Sequence, residues 1–372
     1  MKTRELSKIA EITLSGIDKK TKAGQKIVKL CNFTDVYYNW DLTNVEQQHF
    51  MQASASDKEI QELSLKRGDV CITKDSETRD DIGISCLISD DLSNTVLGYH
   101  CALIRPNENI ILGSYLNAFL KTKVARKYFS NQSSGSGQRY TLTKEGIGAV
   151  KITFPDLPQQ LSISTLFENI CKKIRINNQI NDNLSQLAFD TFLYFFASKK
   201  ANGIVGDLIV EACKSKTQVN DAKGKDGQYP FLTSGEAILR SNNYLVDNRN
   251  IFLTTGGNAN VKFYVGKADY STDTWCIRAN HEMTDYLYLF FRFISPIMDR
   301  KFFQGTGLKH LQKDLLKNEP IYIPSENELE RFNSLVKPLY DKISKNLREN
   351  YSLSLLRNDL LPLLMNGQVT IR

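Results

Sequence analysis

Apolar and polar positions along the 372-residue chain follow two different periods. In "DVCIT" (Asp69–Thr73) and "NIFLTT" (Asn250–Thr255) they alternate with period two, which predicts half-buried strands. "VKITFP" (Val150–Pro155) and "PIYIP" (Pro320–Pro324) predict strands closed by proline. In "GSYLNAFLKTKVARKYF" (Gly113–Phe129) the period is helical, with Tyr115, Leu116, Phe119, Leu120, Val124 and Tyr128 on one face. "DYLYLFFRFISPIMDRKFF" (Asp285–Phe303) follows the same plan, and Pro296 predicts a break or kink in it.

Two longer segments stand apart. No glycine or proline interrupts Leu161 to Phe196, and apolar residues recur at Ile163, Leu166, Ile170, Ile180, Leu184, Leu187 and Tyr194, close to a heptad seam. Lys173 and Asn177 interrupt that seam. About 36 helical residues make a rod of roughly 54 Å, too long to lie buried in one small domain. Near the C-terminus Val336, Leu339, Ile343, Leu353, Leu360 and Leu364 form a similar stripe, with Asn346 and Asn350 in its middle. Helices from equivalent positions can pair as a coiled coil, where a buried Asn fixes register and an exposed one marks a solvated face. Pro338 predicts the start of this second helix and Pro362 its end.

These elements occur twice, in one order. "SGSGQRYTLTKEGIGAVKITFPDLPQQ" (Ser134–Gln160) returns as "QGTGLKHLQKDLLKNEPIYIPSENE" (Gln304–Glu328). Gly137 and Gly307, Pro155 and Pro324, and Leu161 and Leu329 are offset by 170, 169 and 168 positions. Upstream, "KRGDVCIT" (Lys66–Thr73) parallels "NRNIFLTT" (Asn248–Thr255), and "HCALIR" (His100–Arg105) parallels "WCIRAN" (Trp275–Asn280). "YLNAFLKT" (Tyr115–Thr122) parallels "YLYLFFRF" (Tyr286–Phe293), and "LSKIAEI" (Leu6–Ile12) parallels "VGDLIVEA" (Val205–Ala212). "KLCNFT" (Lys29–Thr34) pairs with "FLTSGE" (Phe231–Glu236). A period this long exceeds any solenoid repeat and predicts duplicated mixed α/β domains, each followed by a helix. The boundaries fall at 1–157 for the first domain, 158–198 for its helix, 199–324 for the second domain and 325–372 for the second helix and tail.

Composition narrows the function classes. Hydrophobic residues at 41% and charged residues at 24% are ordinary for a globular protein. The net charge of +7 permits an acidic partner such as nucleic acid. Seven scattered cysteines without a Cys-x-x-Cys pair predict reduced structural thiols and a cytoplasmic protein. "MKTRELSKIAEI" has no apolar core of a signal peptide, and "FLYFFA" (Phe192–Ala197) and "YLYLFFRFI" (Tyr286–Ile294) are too short to span a bilayer.

The ordered duplication resembles the DNA-specificity (S) subunit of type I restriction–modification systems. The likeness rests on "GSGQRYTLTKEGIGAVKITFPDLP" (Gly135–Pro158), the helix after it, their second-half counterparts, the ending "LLRNDLLPLLMNGQV" (Leu355–Val369) and the opening "LSKIAEI". That family implies an α/β (α+β) fold: two similar target-recognition domains separated by two long helices in an antiparallel coiled coil, related by a pseudo-twofold repeat. It also implies that each domain reads half of a split, asymmetric double-stranded DNA sequence. Partners would be two methyltransferase subunits, which bind S-adenosylmethionine and methylate adenine, and two restriction/translocase subunits, which use ATP and Mg. No cofactor is implied in this chain. The rod corresponds to about 16 base pairs along a parallel duplex, an upper limit on the gap between half-sites.

Chemistry of the chain's own is sparse. There is no Asn/Asp-Pro-Pro-Tyr/Phe tetrad and no P-loop. "TTGGNAN" (Thr254–Asn260) reads as a turn, and "VEACKSK" (Val210–Lys216) puts Cys213 where a nuclease would need lysine. His49, His100, His281 and His310 form no ligand-spaced cluster, so no metal site is expected, and His100–Cys101 reads as core. Phosphate contacts need Lys, Arg or loop amides, whereas base edges are read by Arg, Asn, Gln, Ser and Thr. Polar loops supply Lys20, Lys22, Lys74, Arg79, Gln132, Ser134, Ser136, Gln138, Arg139 and Tyr140 in the first half. In the second half they supply Lys216, Lys225, Thr255, Asn258, Lys262, Thr306, Lys309 and His310. Phe189, Phe192 and Phe196, with Leu360 and Leu364, extend beyond one seam and read as a methyltransferase-binding face. Two other classes stay open: a stand-alone enzyme acting on DNA, and a two-domain scaffold without nucleic acid.

Overall fold

The computed structural model describes residues 1–135, 137–224 and 226–371. They form two compact units, Met1–Arg175 with Tyr351–Arg372, and Ile176–Asn350.

In unit 1 a five-stranded sheet has the order Ala10–Leu14, Cys101–Pro106, Val70–Thr73, Ser85–Ile88, Asp41–Leu42. A second sheet places Lys26–Cys31 between an antiparallel neighbour, Met51–Ala55, and a parallel one, Thr95–Leu97. Val70 and Ile72 enter one apolar core while Cys71 enters the other, and Ala102 and Ile104 are divided in the same way from Cys101 and Leu103. The expected half-buried strand is therefore buried throughout: helices cover one face of the sheet and the second sheet covers the other.

Unit 2 repeats this plan. Its sheet runs Ile209–Glu211, Thr274–Ala279, Arg249–Thr254, Val261–Val265, and Tyr229–Leu232 lies between antiparallel Ile238–Ser241 and parallel Asp269–Tyr270. Ile251 and Leu253 face one core and Phe252 the other, so this strand too is buried on both sides. Finer details recur. The opening strand pairs antiparallel with the closing one, Lys2–Glu5 with Lys151–Phe154 and Gly203–Ile204 with Pro320–Ile321. Tyr115 Oη donates to the Thr153 carbonyl at 3.1 Å, and Tyr286 Oη donates to the Tyr322 carbonyl. The first bond ties its helix to the last strand, and the second ties its helix to the residue just after that strand.

The helical pattern of Gly113–Phe129 resolves into two helices, Gly113–Leu120 and Lys123–Gln132. Thr122 ends the first and caps the second, accepting from Ala125 N, and the turn leaves Val124 exposed rather than on the buried face. Pro296 does not end its helix, which runs Thr284–Lys301 with Ile294 and Met298 buried on either side.

The two long helices are Leu157–Phe196 and Glu326–Met365. In unit 1, Ile163 and Phe167 share a core with Leu361, Leu364 and Met365; in unit 2, Phe196 packs on Phe332 at 5.1 Å between centroids. Within unit 2 the pairing is antiparallel: Asn177 Nδ2 donates to Asn350 Oδ1 at 2.8 Å, and Asn346 Nδ2 donates to Asn181 Oδ1 at 2.8 Å. Asn177 and Asn346 are buried, so they belong to the seam and not to a solvated face. The predicted seam positions Leu187 and Tyr194 are exposed, and Ala188, Phe192 and Phe196 point inward instead. A helix of 3.6 residues per turn drifts off a strict heptad by about 20° each repeat.

Prolines mislead twice in the second helix. It starts well before Pro338, at a Ser325–Glu328 capping box in which Ser325 N donates to Glu328 Oε2 at 3.1 Å. Bonds from Lys199, Ser325 and Tyr322 hold the Glu328 carboxyl down at about 2. An interior proline costs about 3 kcal/mol, and burial of Phe332, Val336 and Tyr340 around it offsets that. Pro362 likewise lies inside the helix, which stops at Met365 before Gly367, a left-handed residue at φ +68°.

Candidate nucleic-acid interface

Each Gly-x-Gly motif is a hairpin mounted on the loop that follows the unit's central strand. In unit 1 Ser134–Gly135 pairs with Tyr140–Thr141, which pairs with Asp75–Ser76, and Leu142 N donates to the Lys74 carbonyl at 2.8 Å. In unit 2 Phe303–Gln304 pairs with His310–Leu311, His310 bridges to Gly256, and Leu311 N donates to the Thr255 carbonyl at 3.0 Å. The first glycine of each pair is required by close approach. A Cβ on Gly135 would lie 2.0 Å from the Arg139 carbonyl oxygen, and one on Gly305 would lie 2.6 Å from that of Leu308. Gly137 is needed only for its φ of +85°, and Gly307 has neither constraint.

In unit 1 charged side chains hold the hairpin. Asp75 Oδ2 accepts from Lys74 Nζ and faces His100 Nδ1, both at 2.9 Å, and Asp75 Oδ1 accepts from Thr141 Oγ1 at 2.8 Å. Burial works to raise the Asp75 carboxyl, but hydrogen bonds from His100, Lys74 and Thr141 outweigh it and hold it below the usual carboxylate range. Arg139 Nη2 lies 3.3 and 3.4 Å from the two nitrogens of His100, so the guanidinium covers the ring face. Lys74 Nζ sits 4.7 Å from the centroid of Tyr99, and Arg79 sits 5.4 Å from that of Tyr140. An aromatic ledge continues from there: Phe33 meets His100 edge-on, Tyr37 stacks on Phe33, and Tyr38 beside it is 77% exposed. Tyr37 Oη donates to Asp81 at 2.6 Å, fixing the ledge to the loop that carries Arg79.

In unit 2 the corresponding hold is backbone. Gly257 N donates to the Lys309 carbonyl at 2.9 Å, and Thr255 Oγ1 donates to the Asp273 carbonyl at 2.9 Å. Thr306, Leu308, Lys309 and His310 stand exposed at the tip. Lys216 is exposed on the segment whose Thr217 carbonyl accepts from Thr272 N, on the same side of the sheet end as Thr255 and Asn258.

The structure thus gathers Gln132, Ser134, Gln138, Arg139, Tyr140 and Arg79 at one tip and Thr255, Asn258, Thr306, Lys309, His310 and Lys216 at the other. Ser136 and Lys225 lie outside the described residues. Lys20 and Lys22 are exposed but adjoin Ser54, at the end of the small sheet away from Phe33 and His100. Two other expectations need correction. Lys74 is 8% exposed and committed to Asp75, so it shapes the loop and does not face a phosphate. Lys262 is half-buried, bonded to the Thr233 and Gly235 carbonyls, with its ammonium below its ordinary range because of burial. Of the expected core pair His100–Cys101, only Cys101 is core, and the imidazole is partly exposed.

The expected partner face also changes. Phe192, Phe196 and Leu364 are buried in the unit cores. Phe189 and Leu360 are half-buried, Phe189 under Arg292 at 4.5 Å. The outward apolar residues include Leu161, Leu187 and Tyr194 on one helix and Leu335, Leu355 and Leu356 on the other. Sequence reading missed Tyr38 and Tyr99; the aromatic pairs "YY" at 37–38 and "YH" at 99–100 were the available signal. Among the described residues no group of three or more His, Cys, Asp or Glu side chains could hold a metal ion, and no helix is long and apolar enough to cross a membrane.

A family model described as "Type I restriction modification DNA specificity domain" matches residues 1–186 and again 205–350, one match for each half. The chain belongs to this family. The relatives of the type I specificity family that it resembles include the HindI specificity subunit of Haemophilus influenzae, 30% identical over 36% of this chain and 28% of that protein. The MjaIX specificity subunit of Methanocaldococcus jannaschii is 22% identical over 89% of this chain and 85% of its own length. The crystal structure of a type I restriction–modification S subunit from M. genitalium covers 98% of this chain and 95% of its own, with a TM-score of 0.54 at 13% identity, which supports the shared fold. The duplicated α/β plan and paired long helices of the specificity-family fold are what the repeat in the sequence predicted.

Proposed function

We propose that this chain binds double-stranded DNA at a split, asymmetric sequence and directs adenine methylation, and restriction, by partner subunits. The observation that carries the reading is the double family match on two units of one topology, each presenting an exposed glycine hairpin of different sequence. Unlike tips, "SGSGQRY" and "QGTGLKH", suit unlike half-sites. Arg, Gln, Ser, Thr, Asn and Lys at the tips are the side chains that contact base edges and phosphates, and the net charge of +7 favours the polyanion. Catalysis then resides in the partners: two methyltransferase subunits carrying S-adenosylmethionine, and two restriction/translocase subunits using ATP and Mg. This chain needs no cofactor of its own for that role.

The test is methylation mapping of host DNA with and without the gene, together with duplex binding by the purified complex. The expected result is a split adenine motif that disappears with the gene, and an affinity that falls steeply with salt, with a log–log slope near −0.9 per phosphate contacted. Salt-insensitive binding, or no gene-dependent motif, defeats the reading. Exchanging the hairpin 134–140 for that of another family member should change one half-site and leave the other.

A further inference from the structure

We infer that unit 2 carries a docking groove for a basic, apolar-backed polypeptide segment of a partner protein, at the end of its main sheet away from the hairpin. The groove has a volume of about 870 Å³ and lies between the turn after strand Thr274–Ala279 and the start of the helix Glu326–Met365. Met283 and Leu329 contribute apolar surface, and Glu282, Glu326 and Glu330 line its sides. Lys337 is the cation there, and its ammonium is taken by Glu282. The chain as a whole carries a net charge of +7, so an acidic, apolar-floored groove runs against its overall charge.

A second observation points to a ligand with donors. Asn333 lines the groove and is only 8% exposed; its Nδ2 donates to the Glu282 carbonyl at 3.0 Å, and its Oδ1 has no partner. A buried acceptor left open is costly, and a lysine, arginine or backbone N–H of an occupant would satisfy it. The rim is also held in an uncommon shape. His281 and Glu282 are consecutive non-glycine residues at φ +47° and +62°, a left-handed conformation that clusters at ligand clamps. Glu326 complements the helix N-terminus as well, but Glu330, a turn further on, has no such reason to be acidic.

The equivalent place in unit 1 sharpens the argument. A groove of about 630 Å³ lies there between the turn at Asn109 and the start of the helix Leu157–Phe196, but Lys2 and Arg4 line it against a single carboxylate, Asp156. The two units share a fold here and present opposite charge, so the acidic groove is a feature of unit 2 and not of the repeat. This inference does not depend on the DNA reading, because the groove and the hairpin tip lie at opposite ends of strand Thr274–Ala279.

The test uses the full chain and a fluorescent positional-scanning hexapeptide library, at low salt and at about 0.15 M ionic strength, where screening acts beyond about 8 Å. Selection of Lys or Arg together with Leu, Met or Phe is expected. Affinity for the selected peptides should fall at least tenfold in the Glu326→Lys/Glu330→Lys double variant. Far-UV circular dichroism and duplex-DNA affinity of that variant should be unchanged. No selection of basic residues, or selection that survives the double substitution, overturns the proposal. So does a dimer of this chain that closes the groove. Loss of duplex binding by the unsubstituted chain with peptide selection intact defeats the DNA reading alone.

Discussion

The two hairpins do the same structural job by different chemistry. In unit 1 a nearly buried carboxylate, Asp75, gathers Lys74, His100 and Thr141, and Arg139 on the tip covers the imidazole. In unit 2 the described residues place no buried carboxylate against the tip; Asp299 accepts from Ala259 N at 2.5 Å in the neighbouring loop, and amide–carbonyl bonds hold the tip itself. Duplication therefore preserved the position of the hairpin and not the means of fixing it. A mount that can be built in two ways leaves the tip residues free to differ. The proposed reading of unlike half-sites needs that freedom.

The comparison breaks hardest at Asp75. Asp75→Ala removes one partner of a buried ion pair and strands Lys74, a change that typically costs about 3–5 kcal/mol. Urea unfolding of unit 1 should move accordingly, with loss of hydrogen-exchange protection at Leu142 N–H. No single side-chain truncation at the hairpin mount of unit 2 should approach that effect. Next come the closing glycines. Gly135→Ala and Gly305→Ala force each hairpin open, and each is expected to cost about 1–3 kcal/mol, the usual range for overpacking. Fluorescence anisotropy with a cognate duplex should show weaker binding in both variants.

Acid supplies a smaller and more selective probe. The Asp75 carboxyl titrates below its unfolded value, so the native state holds fewer protons than the unfolded chain in that interval. Its contribution is complete above about pH 3.9, the ordinary carboxylate value, and is lost as pH falls through the depressed native pKa. The difference in stability between the unsubstituted chain and Asp75→Asn should therefore shrink below about pH 4. Pulsed hydrogen exchange at Thr255-bonded Leu311 N–H, in unit 2, should not follow Asp75.

Periodicity and repetition made the architecture legible; the site was legible only in part. Helix and strand patterns came in one order twice, and the units repeat even a tyrosine-to-carbonyl bond at Tyr115 and Tyr286. Proline was a poor guide: Pro296, Pro338 and Pro362 all lie inside helices because burial on both sides outweighs one missing hydrogen bond. Alternation misled at Val70–Thr73 because a strand covered on both faces also alternates, sending odd and even residues to different cores. At the site, position along the chain says that a lysine is in a loop, but not what the loop folds against. Lys74 and Lys262 look like surface cations in sequence and are spent on internal bonds in the structure. His100 erred the other way, because its exposure depends on a hairpin 39 positions later in the chain.

The finest test separates the two second glycines, which the sequence presents as the same residue. Gly137 sits at φ +85° with open space where a Cβ would go, so Gly137→Ala meets only backbone strain, about 1–2 kcal/mol for a left-handed residue. Gly307 has no such φ and nothing within 4 Å, so Gly307→Ala should fall within about 0.5 kcal/mol of the unsubstituted chain. If its stability is unchanged but duplex affinity falls, the requirement at 307 is close approach of a ligand, since glycine there is not needed by the fold. If both are unchanged, the second glycine of unit 2 is a remnant of duplication, and recognition by that tip rests on Thr306, Lys309 and His310.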